Sequence, residues 1–141
     1  MNHTIPASAA IALVSCLRGG YVALKWHNVA ATDEQLQAVY EQALLFMQSH
    51  RTPRLLSDHR VRPPLSLDLQ QWLRDEWIPR AIREAGYSHC AIVESTSPLG
   101  RLAARAIGMA VTPTLTARHF ETVEPAQAWL LQFATAASDI R

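Results

Sequence analysis

Three short segments hold side chains that could do chemistry: Trp26-His27-Asn28, Ser57-Asp58-His59-Arg60 and Glu94-Ser95-Thr96. Each closes or follows an apolar run, so each is expected at the carboxyl end of a strand. In open α/β sheets, ligands bind outside those ends. Brought together, His27, Asp58, His59, Arg60, Glu94 and Ser95 would line one edge with imidazole, carboxylate, guanidinium and hydroxyl groups. Arg60 would then hold an anion and Asp58 would orient a donor. The plainer alternative is local, with Asp58 pairing with Arg60 or capping the loop backbone.

A catalytic version makes His59 or His27 a general base, oriented by Asp58 or Glu94, with Ser57 or Ser95 as the nucleophile. No serine here is flanked by glycines in the nucleophile-elbow pattern. Ser57 lies inside an apolar segment, where its side chain is expected to face packing. The expectation is therefore a chain that binds and regulates and does not catalyse, with a weak hydrolase using Asp58 and His59 as the alternative. Metal chemistry has less to stand on. The histidines (His3, His27, His50, His59, His89 and His119) are dispersed, with no His-x-x-x-His and no Cys-x-x-Cys pair. His89 and Cys90, as strand neighbours, face opposite ways. No metal and no cofactor is expected.

Composition narrows the partners. The chain has 141 residues, 49% hydrophobic and 18% charged, which suits one globular domain over residues 1–141. A net charge of +1 gives no long-range pull toward nucleic acid or an anionic membrane. No apolar stretch approaches the ~20 residues of a membrane helix. Cys16 and Cys90 each sit in an apolar segment and are expected as buried free thiols, in keeping with the cytoplasm. Ala10-Ile11-Ala12-Leu13-Val14-Ser15-Cys16 does look like a lipid-attachment box. Residues 1–10 hold no Lys or Arg, however, and Pro6 interrupts the run, so a first strand ending in Ser-Cys is the simpler reading.

The elements that must position these groups follow from periodicity. Residues 10–17 and 21–27 read as a hairpin joined by Arg18-Gly19-Gly20. Thr32-Asp33-Glu34-Gln35 has capping-box spacing. Leu36, Val39, Tyr40, Ala43, Leu44 and Met47 then predict a helix over 33–49. Leu45 and Phe46 fall off that stripe and suggest self-association. Residues 54–58 form a short strand buried on both faces. Ser66 or Asp68 caps the next helix, and Pro79 predicts a kink or restart, since it cannot donate to Asp75. Gly86 ends that helix, and His89–Val93 is the next strand. Pro98 opens a short helix, Thr112–Ala117 is a weak last strand starting at an edge, and Thr122 caps a final helix that frays over 138–141. The order is β-β-α-β-α-β-α-β-α. It implies an open, mixed, mostly parallel sheet of about five strands with four helices and an N-terminal hairpin.

Trp72, Trp77 and Trp129 fall on apolar helix faces, where core packing plus one N–H bond each is the plain expectation. Trp72 and Trp77 are also candidates for a ligand pocket or a dimer interface.

Tyr21-Val22-Ala23-Leu24-Lys25-Trp26, Leu55-Leu56-Ser57-Asp58-His59-Arg60, Trp72-Leu73 with Glu76-Trp77-Ile78-Pro79-Arg80-Ala81, and Phe120 followed by Ala128-Trp129-Leu130 resemble the small bacterial STAS/SEC14-type proteins, relatives of the anti-sigma-factor antagonist (SpoIIAA-like) fold. The resemblance spans about residues 10–133 and rests mostly on packing residues. It implies a regulatory or protein-interaction module, a homodimer or a protein partner, or the binding of a small apolar or anionic ligand. The antagonists' phosphorylatable serine has no counterpart, because the corresponding place reads Asp58-His59-Arg60-Val61.

Overall fold

A computed structural model describes residues 3–5, 10–17, 20–111 and 115–139. The strands are β1 (His3–Ile5), β2 (Ala12–Leu17), β3 (Tyr21–Trp26), β4 (Arg54–Asp58), β5 (His89–Val93) and β6 (Thr116–Phe120). They lie side by side in chain order in one sheet. β1, β2 and β3 are antiparallel neighbours, and β3 to β6 run parallel. The open, mostly parallel α/β sheet with its leading hairpin is thus present, with the three-residue β1 added at the edge. The last strand begins at Thr116, four residues later than its spacing predicts. The predicted start at Thr112–Thr114 lies outside the described residues, as do the hairpin residues Arg18 and Gly19. Gly20, at φ 91, supplies the positive φ that the turn needs.

The helices are α1 (Asp33–Ser49), α2 (Leu67–Trp72), α3 (Ile78–Ala85), α4 (Pro98–Val111) and α5 (Val123–Asp139). A π-helical turn, Leu73–Trp77, joins α2 and α3 without a break. Pro79 lies in the first turn of α3, directly after the π-helical turn. The turn before it widens, with the Ile78 N–H reaching the Leu73 carbonyl five residues back. Thr32 and Gln35 form the capping box of α1. Of the two candidate caps for α2, Ser66 is used: its Oγ accepts from the Leu69 N–H and donates to the Asp33 carboxylate. Gly86 closes α3 in the left-handed region at φ 69.

Right-handed crossovers between strands laid down in one direction put the connecting helices on one face of the sheet. There α1, α2, α3 and α4 cover Val22, Leu24, Trp26, Leu55, Cys90 and Ile92. α5 folds over the reverse face. It packs Ala126 and Leu130 on Tyr21, Leu56, Ala91 and Val93. Phe46, off the main stripe by spacing, is in fact buried, its ring 5.4 Å from that of His50, whereas Leu45 is exposed. Both cysteines are buried and free.

Candidate functional site

The carboxyl ends of β3, β4 and β5 lie side by side at one edge of the sheet, but the side chains there divide between its two faces. Successive side chains alternate across a strand, and the chain after β4 keeps that alternation. Ser57 and His59 therefore point to the helix-covered face, and Asp58 and Arg60 to the α5 face.

On the first face lies a buried polar network. Ser57, His59 and Arg62 are 3%, 5% and 7% exposed. The Trp26 indole N–H donates to Ser57 Oγ at 3.0 Å, and Ser57 Oγ lies 2.7 Å from His59 Nε2. His59 Nδ1 lies 3.4 Å from Arg62 Nη2, and Arg62 Nη1 donates to the Tyr40 hydroxyl at 2.9 Å. The guanidinium also stacks over the Trp26 ring, 5.1 Å from its centroid. Backbone bonds hold the loop in place: His59 N–H to the Val93 carbonyl and Arg62 N–H to the His59 carbonyl. Burial first, then the charges of Arg62 and His119, push the His59 pKa well below its ordinary value. The imidazole is neutral at neutral pH.

These groups wall a cavity of about 60 Å³ whose other sides are apolar, including Leu73, Trp77, Ile78 and Ile107. Burial drives the thiol of Cys90, on the same wall, up to about 11. Trp77 is fully buried, donates to the Tyr40 carbonyl, and meets Tyr40 and Tyr87 edge-on. Trp72 is half-buried at the margin of the cluster, its ring 6.3 Å from Tyr40. Trp77 therefore offers no surface to a second copy of the chain, and it lines the cavity while Trp72 does not.

On the second face, Asp58 and Arg60 form a bidentate pair, with the Arg60 Nε and Nη2 at 3.0 and 2.7 Å from the carboxylate, and the Arg60 backbone N–H also donates to Asp58. The local alternative for Asp58 is the one realised. The pair borders a groove of about 240 Å³, beside α5, where the sheet is uncovered. Leu13, Ala23 and Leu56 floor it, and Ser15, Lys25 and Gln127 add polar groups. The Tyr21 hydroxyl is bonded to Gln127, and burial raises its pKa.

The other expected members have local duties. Glu94 pairs with Arg105 of α4. Ser95 accepts the Ser97 N–H ahead of α4, and its carbonyl accepts from Arg101. His27 reaches the Ala10 carbonyl at 3.4 Å and takes no part in either site. Residue spacing does not reveal Tyr40 or Arg62 as members of the network. Arg62 is one of several basic residues in a proline-rich loop, and only the stiffness of Pro63-Pro64 behind it hints at a fixed position. Among the described residues no group of His, Cys, Asp and Glu could hold a metal ion, and no helix is long and apolar enough to cross a membrane. No family model, no curated protein and no solved structure matches the chain.

Proposed function

We propose that this chain is a non-catalytic regulatory module of the STAS/SEC14 type, which binds a small, partly apolar anion in the groove on its open sheet face. One observation carries the reading: the floor of Leu13, Ala23 and Leu56 lies beneath Lys25 and the Asp58–Arg60 pair, so apolar area and a net positive charge share one concavity. Arg60 spends two N–H groups on Asp58 and keeps three for a ligand. At about 240 Å³ the groove suits a metabolite better than a lipid chain, since pockets for drug-sized ligands start near ~300 Å³. A regulatory role in the cytoplasm fits two buried, unpaired thiols.

Catalysis at Ser57 is disfavoured by charge. A serine-activating histidine must become an imidazolium, which a triad stabilises with a carboxylate. Here the group beside His59 Nδ1 is the Arg62 cation, and Asp58 faces the other side of the sheet.

Native mass spectrometry of the chain purified gently from its host cells tests the binding reading. The wild type is expected to carry a bound small-molecule mass, and Lys25→Glu and Ala23→Trp are expected to lose it. A wild type that carries none overturns the proposal.

A further inference from the structure

Arg62 is buried, yet none of the four ion pairs among the described residues includes it. Its contacts are a phenol, an imidazole and an indole face, all uncharged. A buried cation is ordinarily matched by an anion, because the desolvation cost is otherwise unmet.

The proton count around it points the same way. A guanidinium has no lone pair to offer, so in its contact with Arg62 the His59 Nδ1 accepts. Nε2 then carries the imidazole hydrogen and donates to Ser57 Oγ. Ser57 Oγ also accepts from Trp26, which fills both lone pairs. The Ser57 hydroxyl proton is spent on neither contact. Tyr40 is in the same position, because its oxygen accepts from Arg62 and its proton is not used there. Both hydroxyls line the cavity. The wall thus combines a positive charge and two hydroxyl donors with apolar side chains, and among the described residues it includes no carboxylate.

We propose that this cavity is a second ligand site, separate from the groove, for a short-chain carboxylate: Arg62 pairs with the carboxylate, Ser57 and Tyr40 donate to its oxygens, and the alkyl group lies against Leu73 and Ile107. The cavity of about 60 Å³ is well under the ~150 Å³ of a cavity that takes benzene, which limits the occupant to a few heavy atoms.

The test is a titration of the full chain with acetate, propionate and butyrate, followed by calorimetry and by the thermal midpoint at constant ionic strength. A saturable rise with at least one of these acids, absent with chloride, is expected. Arg62→Gln should abolish it. Ser57→Ala and Tyr40→Phe keep the charge and should each weaken binding about tenfold, the scale of a lost hydrogen bond to a charged group. These two variants carry the test if Arg62→Gln does not fold. The inference is overturned if no carboxylate binds, if chloride binds as well as the acids do, or if Ser57→Ala and Tyr40→Phe bind like the wild type. Binding that survives Arg62→Gln but is lost in Lys25→Glu belongs to the groove and equally overturns it.

Discussion

Ser57 and His59 touch at 2.7 Å in the pairing of nucleophile and base, but the charge around them is reversed. A catalytic histidine needs an anion behind it, and this one has a guanidinium. The imidazole stays neutral because burial, Arg62 and His119 all oppose its protonation. The contact is a buried hydrogen bond, with consequences for stability that can be measured.

The first consequence is a dependence on pH. The folded-state pKa of His59 lies below the ordinary 6.5, so the unfolded chain takes up the proton first. Its stabilising contribution is complete above about pH 6.5 and is lost as the pH falls toward the folded value. Urea denaturation should show lower stability at about pH 5 than at about pH 7.5, and His59→Gln should flatten that slope. Burial also lowers the pKa of His89 and His119, so part of the slope should remain.

Gly100 opens a second test. An added Cβ there would lie 2.6 Å from Ser95 Oγ and 2.8 Å from Ser95 Cβ. Replacing glycine by alanine inside a helix usually gains up to about 1 kcal/mol. At this position Gly100→Ala should instead cost about 1–3 kcal/mol through overpacking. A denaturation midpoint above that of the wild type would contradict the close approach.

Ser66 ties the starts of two helices together through the Leu69 N–H and the Asp33 carboxylate. Ser66→Ala should cost about 1 kcal/mol, typical of a lost N-cap. Asp68→Ala, at a residue that makes no cap, should cost less, on the order of the 0.3–1 kcal/mol of a helix-dipole charge. Equal losses in urea melts would show that Ser66 is not the effective cap.

Arg51 adopts φ 52 just after α1, in the left-handed region that favours glycine. Arg51→Gly should stabilise the chain by up to about 1 kcal/mol, because relief of the backbone outweighs the added freedom of the unfolded chain. Thermal denaturation decides the sign.

The two tryptophans of the α2–α3 helix should separate cleanly. Trp77 is fully buried and holds the Tyr40 carbonyl, whereas Trp72 is half-exposed at the margin. Trp77→Phe should cost about 1–3 kcal/mol, and Trp72→Phe less than about 1 kcal/mol. Near-equal costs would contradict their different burial.

Much of this architecture is legible in residue spacing. The stripe from Leu36 to Met47 and the Thr32–Gln35 box place α1 at its observed bounds. The apolar runs at 54–58 and 89–93 are adjacent parallel strands. Reading Asp58, His59 and Arg60 as one cluster misleads, because a period of two sends the middle residue to the opposite face. Spacing ends the last strand at Ala117, short of Phe120, because Arg118 and His119 hide its alternation. Arg62 and Tyr40 give no signal, since they meet only through tertiary packing across 22 positions.

The widened turn at Leu73–Trp77 spends one residue more than an ordinary helix would need. Excising a single position there would let the spiral tighten into an ordinary helix and leave α2 and α3 in their present phase. The same cut elsewhere in the rod would turn its two halves about 100° apart. Trp72 and the Ser66 anchor could then no longer meet their present neighbours together.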